Sequence, residues 1–254
     1  MFDAITAGKA NLKVIIDGLR RQPREDLITS QLFGTIRFLE PTARKQALEI
    51  LTGNELSGEA DLHLWPRFGP RGTEPDVVIT LKQGDIVKYW IVEVKWGAGF
   101  SGDGNQPLRE IEAVRDEAVR NYGSGSEHFH SAPREIAGYT LLGAESKHNV
   151  QMNDVEQKIP CSGEIKICSR TWSDVNVALS GLADPRVAQN EGLAAWAQCA
   201  ADFLSTTPQG IALGNWPAMP MPEISIFTFD TNRRFEWGVS LEPVSACQFH
   251  FDMN

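Results

Sequence analysis

Four cysteines in 254 residues are too few and too scattered to staple a fold. Only Cys161 and Cys168 lie close together, with six residues between them, and that gap fits no common zinc spacing. They read as reduced thiols, the expectation for a cytoplasmic protein. Also missing is any apolar run near the ~20 residues that a membrane-spanning helix needs. The first apolar stretch carries Lys9, Lys13 and Asp17, whereas the centre of a secretory signal is uncharged. There is no internal repeat, low-complexity tract or obvious interdomain linker. Positive charge is short as well: 24 Lys and Arg face 33 Asp and Glu, for a formal net charge of −9. Such a chain is a poor non-specific binder of nucleic acid. The imbalance is uneven, with +2 over residues 1–50 and −11 over the rest. A local basic surface around Arg20, Arg21 and Arg24 competes with an ordinary solvated helix end.

What is present is the make-up of a globular protein, 42% apolar with 22 glycines. The length suits one large domain, or a core with an extension, and can bury a sizeable core. Helical spacing runs from about residue 2 to 22, and Pro23 breaks it. A second helix is expected over 24–39, with Glu25 and Asp26 in its first turn, and a third over 43–51, stopped by Gly53. The period then changes from 3.6 to 2. Strands are expected over 60–65, 76–81 and 86–96, the last two joined by a turn at Lys82-Gln83-Gly84-Asp85. A glycine-rich loop over 97–105 precedes a charged helix over 107–121, and Gly123-Ser124-Gly125-Ser126 reads as a flexible connection. Strands at 136–142 and 164–168, helices at 172–182 and 186–204, and two strands after residue 223 complete the reading. The class is mixed α/β (α+β). The expected division is a core over 1–160 and a C-terminal α/β extension over 161–254 packed on the same domain.

Chemistry concentrates in Pro75-Asp76 and, seventeen residues after Asp76, Glu93-Val94-Lys95. Residues two apart on a strand share a face, so Glu93 and Lys95 project together, while Trp90, Val92, Val94 and Trp96 point the other way. Folding the hairpin brings Asp76 within about one diagonal step, ~7–8 Å, of Glu93. Two carboxylates so placed can hold a hard divalent cation. Burying Glu or Lys alone is costly, and a cation between Asp76 and Glu93 beside Lys95 resolves that cost. A bland reading is a Glu93–Lys95 ion pair on an exposed sheet face.

Pro75-Asp76 and Glu93-Val94-Lys95, on two strands of a hairpin with a helix before and after, resemble the PD-(D/E)xK nuclease superfamily. The resemblance covers roughly residues 20–145. It implies a restriction-endonuclease-like core, a central mixed β-sheet flanked by helices. It further implies Asp76, Glu93 and the Val94 carbonyl as ligands of Mg2+, with Mn2+ as a substitute, and Lys95 as the catalytic lysine. Glu25, on the first core helix, is the choice for an additional acid, with Glu40 and Glu59 as competitors. Gln106, eleven residues after Lys95, matches a glutamine that some members carry.

On that resemblance the expected activity is a Mg2+-dependent endonuclease, acting on DNA before RNA, with phage defence or restriction as its setting. Water attacks phosphorus in line and the 3′-oxygen leaves. The alternative is a weak or silent nuclease-fold subunit that binds within a larger complex, which the negative charge favours. A protein partner or a homodimer stays open, and no membrane association is expected. The loop over 101–105 lacks the Gly-Lys-Ser/Thr of a phosphate-cradling motif. His128 and His130 read first as polar loop, Tyr139 as packing, and the seven tryptophans mostly as core, with Trp96 beside Lys95 the one of interest.

Overall fold

A computed structural model describes residues 25–96, 105–120, 129–143, 145, 149–158, 165–183 and 190–206. The described elements all belong to one compact unit spanning 1–214. Helices α1 (Glu25–Ile36) and α2 (Pro41–Thr52) come first, then strands β1 (Glu59–Leu64), β2 (Val77–Gln83) and β3 (Ile86–Val94). Helix α3 (Gln106–Asp116), strand β4 (Glu135–Leu142) and helix α4 (Asn149–Lys158) follow, then β5 (Lys166–Arg170), α5 (Trp172–Leu182) and α6 (Glu191–Thr206).

The five strands form one mixed sheet in the order β1-β2-β3-β4-β5. The first three make an antiparallel meander, and β4 and β5 run parallel to β3. Strand alternation divides the core in two. Val77, Ile79, Leu81, Trp90, Val92 and Val94 pack with α1, α2, α5 and α6 on one face. Val78, Tyr89, Ile91, Tyr139 and Leu141 pack with Ile111, Val114 and Met152 of α3 and α4 on the other. β3 is therefore covered on both sides, and its last six residues are all buried. Ile28, Leu32, Phe33 and Ile36 of α1 are completely enclosed, each side chain contributing about 1.5–3 kcal/mol by burial.

The stretch from residue 161, read from sequence as an extension, contributes β5, α5 and α6 to this same sheet and core. Helix α4 was not expected: its sequence NVQMNDVEQK is polar, and of its described side chains only Met152 is buried. The helix expected over 107–121 stops at Asp116, because the backbone after it pairs elsewhere. Gly69 N–H donates to the Ala118 carbonyl and Arg120 N–H to that of Arg67. The segments expected over 2–22, 123–126 and beyond 223 lie outside the described residues, as do Arg20, Arg21, Arg24, Cys161 and Cys247. Among the described residues no helix is long and apolar enough to cross a membrane.

Candidate metal site at the end of the central strands

The chain leaves β1 through Trp65, whose φ of 51° is left-handed and costly for a bulky residue. Its N–H donates to the Asp76 carbonyl at 2.9 Å, and Phe68 N–H donates to the Thr73 carbonyl at 2.8 Å. The loop is thus tied down just before Asp76. Val77 pairs with Val92, and continuing that register sets Asp76 opposite Glu93. The Asp76 carboxylate accepts the Val94 N–H at 2.9 Å. Glu93 is 3% exposed and Lys95 5%.

Glu25, the first residue of α1, reaches the same point from the other layer. Its carboxylate accepts the Trp96 N–H at 3.2 Å and lies 3.3 Å from Lys95 Nζ. Lys95 Nζ also donates to Glu93 Oε1 at 2.5 Å. One oxygen from each of Glu25, Asp76 and Glu93 lies within 4.8 Å of the others. This all-oxygen donor set suits a hard cation such as Mg2+ or Mn2+.

The lysine backbone is clamped from behind. Lys95 N–H donates to the Leu142 carbonyl at 2.7 Å, and Trp172 Nε1 donates to the Lys95 carbonyl at 2.8 Å. Trp172 opens α5 beneath a capping box, in which Thr171 and Asp174 satisfy each other's backbone N–H. Gly143 has a φ of 84°, and a Cβ there would lie 2.0 Å from the Lys95 carbonyl oxygen and 2.4 Å from Trp172 Nε1. Gly143→Ala should therefore lower Tm by roughly 5–10 °C, from about 2–3 kcal/mol of strain. A melting curve matching that of the wild type would contradict this clamp.

Two further groups complete the cluster. Gln106, first residue of α3, donates its amide to Glu93 Oε1 and, at 2.8 Å, to Glu110 Oε1. Glu110 is 3% exposed and accepts the Tyr139 hydroxyl at 3.0 Å. Neither Glu110 nor a polar role for Tyr139 was foreseen. The signal for Glu110 was available: it shares the buried face of α3 with Pro107, Ile111, Ala113 and Val114, and a lone acid on an apolar stripe needs a partner.

Four carboxyl groups thus surround one ammonium. Burial, then repulsion from Glu93, raises the Asp76 carboxyl well above its ordinary range, against the Val94 hydrogen bond. Burial and the neighbouring Glu110 charge push Glu93 up to about 8. Glu110 rises to about 7, chiefly by burial and against the Gln106 hydrogen bond. Burial alone would lower Lys95, but the Glu93 and Glu25 charges outweigh it and hold the ammonium protonated. Tyr139 is raised well above its usual value by burial and then by Glu110, so it keeps the proton it donates. An excess of buried negative charge of this kind needs protons or a cation.

Of the remaining sequence candidates, Glu40, Glu59 and His130 fall elsewhere, while Val94 and Trp96 border the cluster through their backbone N–H groups. Glu40 caps α2, accepting the N–H groups of Ala43 and Thr42. Glu59 starts β1 opposite Lys82. Val94 closes β3 fully buried. Trp96 packs edge-on against Trp172, with ring centroids 4.9 Å apart. His130 N–H donates to the Tyr89 hydroxyl at 2.9 Å. His128 and the loop residues 101–104 lie outside the described residues. No protein-family model, curated protein or solved structure matches this chain.

Proposed function

We propose that the protein is a metal-dependent nuclease that hydrolyses phosphodiester bonds, with a restriction-endonuclease-like core. One observation carries this reading: oxygens of Glu25, Asp76 and Glu93 converge beside the buried Lys95 ammonium at the end of the central strands. Glu25, Asp76 and Glu93 would hold the cation, Mg2+ or Mn2+, with the Val94 carbonyl as a further ligand. When bound, a divalent cation polarises the phosphoryl oxygen and lowers the pKa of a water at the site.

The chain's own groups then divide the work. Lys95 keeps its proton, so it serves as an electrostatic and hydrogen-bonding group and not as a base. Its ammonium orients the attacking water and offsets charge that grows on the phosphate in the transition state. Gln106 holds Glu93. The substrate we favour is DNA before RNA, cut internally, in phage defence or restriction. The second reading, a weak or silent nuclease-fold subunit in a larger complex, rests on the net charge of −9; a partner would then supply the basic grip.

The test is cleavage of supercoiled plasmid, single-stranded DNA and RNA with Mg2+, Mn2+ or EDTA, using wild type and Asp76→Asn. Cation-dependent cutting that disappears in the variant is expected, and the substrate cut identifies the class. Wild type inert on every substrate while still binding Mn2+ would favour the silent subunit.

A further inference from the structure

We infer that Glu110 is a positioning residue that acts through Gln106 on Glu93, an inference that rests on the metal-site reading above. The chain of contacts is continuous. The Tyr139 hydroxyl donates to Glu110 Oε2 at 3.0 Å. Gln106 Nε2 donates to Glu110 Oε1 at 2.8 Å and also to Glu93 Oε1. Lys95 Nζ donates to that same Glu93 oxygen at 2.5 Å.

Two consequences follow from the chemistry of these groups. An ionised carboxylate only accepts hydrogen bonds. The Gln106 amide nitrogen lies between Glu93 and Glu110 and donates to an oxygen of each, so the hydrogen bond to Glu110 holds the donor that Glu93 receives. Both donors to Glu93 fall on Oε1, so these hydrogen bonds set the rotation of the carboxylate that would hold a cation. Glu110 contributes no ligand of its own in this arrangement. It sets the amide that sets the ligand, as outer groups commonly orient the ligands of a metal site.

Packing alone does not account for Glu110. Its place on the buried face of α3 suits an apolar side chain, and burying a carboxyl there is costly unless it is hydrogen-bonded. An acid here with a donor on each oxygen points to the orienting role. Four sequence positions separate Gln106 from Glu110, one turn of α3, so the two side chains lie on one face and meet.

The test uses the full-length chain and three variants, Glu110→Leu, Glu110→Gln and Tyr139→Phe, each first checked by thermal melting. Glutamine keeps a carbonyl that accepts from Gln106, whereas leucine does not. The first readout needs neither cation nor activity: the side-chain amide resonances of Gln106 in 15N-labelled protein. They should shift in Glu110→Leu and stay near wild type in Glu110→Gln. The second is Mn2+ affinity by calorimetry. Glu110→Leu should lose about tenfold or more, Glu110→Gln should stay within about threefold, and Tyr139→Phe should fall between. On any substrate that is cut, kcat should follow Mn2+ affinity with KM little changed.

Unchanged Gln106 resonances together with wild-type Mn2+ affinity in Glu110→Leu would overturn the inference and leave the nuclease reading standing. Equal losses in the leucine and glutamine variants would also overturn it, because charge and not the hydrogen bond would then be what matters. If wild type binds no Mn2+, the metal-site reading fails, and the orienting role for a ligand fails with it whatever the resonances do.

Discussion

Lys95→Met should reduce cation-dependent cleavage about 100- to 1000-fold while leaving Mn2+ binding intact or tighter. Methionine retains the apolar stem and removes only the ammonium. In the wild type that ammonium lies 2.5 Å from Glu93 and 3.3 Å from Glu25, so it competes with a cation for the same oxygens. Its removal leaves the carboxylates with more negative charge to offer. The rate should fall because a preorganised donor aimed at the developing phosphate charge typically contributes 10²–10³.

The stability lost in Lys95→Met should depend on the cation. Removing one partner of a buried ion pair costs about 3–5 kcal/mol, so Lys95→Met in EDTA should melt well below the wild type. Mn2+ should then recover more stability in the variant than in the wild type, because it restores the missing positive charge. A merely structural Glu93–Lys95 pair predicts the same loss in EDTA and no recovery by Mn2+.

The second large effect is on pH dependence. Glu93 is raised to about 8 and Glu110 to about 7 in the folded protein, from an ordinary value of 4.5. Asp76 is displaced the same way. Between pH ~4.5 and ~8 the folded state therefore holds more protons than the unfolded chain, and stability must fall as pH rises through that window. Lys95 is also raised, from 10.5. Its contribution is complete below the unfolded value and does not alter the slope between pH 5 and 8.

In EDTA, Tm should decline by about 5 °C or more from pH 5 to pH 8.5. With Mn2+ present the decline should flatten or reverse, since a cation binds the ionised carboxylates and not the protonated ones. Glu93→Gln should flatten the EDTA curve by removing one of the three displaced acids, the one raised to about 8. Melting curves equally steep with and without Mn2+ would separate the acid cluster from any metal.

Much of this arrangement was legible because it depends on short-range periodicity. The alternation around Glu93 and Lys95 fixed which residues face the site, and the Gln83-Gly84 turn fixed the hairpin that brings Asp76 across from Glu93. Glu25 was legible only as one of three acids. Its position in the cluster depends on how α1 lies over the end of β3, which no local pattern encodes. The link between Glu110 and Tyr139 joins a helix to a strand 29 residues later, a tertiary contact outside the reach of local spacing. β5, α5 and α6 were found as elements but not as part of the central core, because a parallel strand pairs across a long crossover with no turn to announce it. Helix α4 was missed for a different reason: little of its surface is apolar, so tertiary packing and not periodicity holds it.

Calorimetric titration of Mn2+ into wild type and Asp76→Asn, at a pH above the value of about 8 reached by Glu93, decides whether these acids hold a metal. Saturable binding is expected in the wild type and should be lost or weakened at least tenfold in the variant. Indistinguishable heats, or no binding by either protein, would contradict it and leave Glu25, Asp76, Glu93 and Lys95 as a buried charge network without a metal.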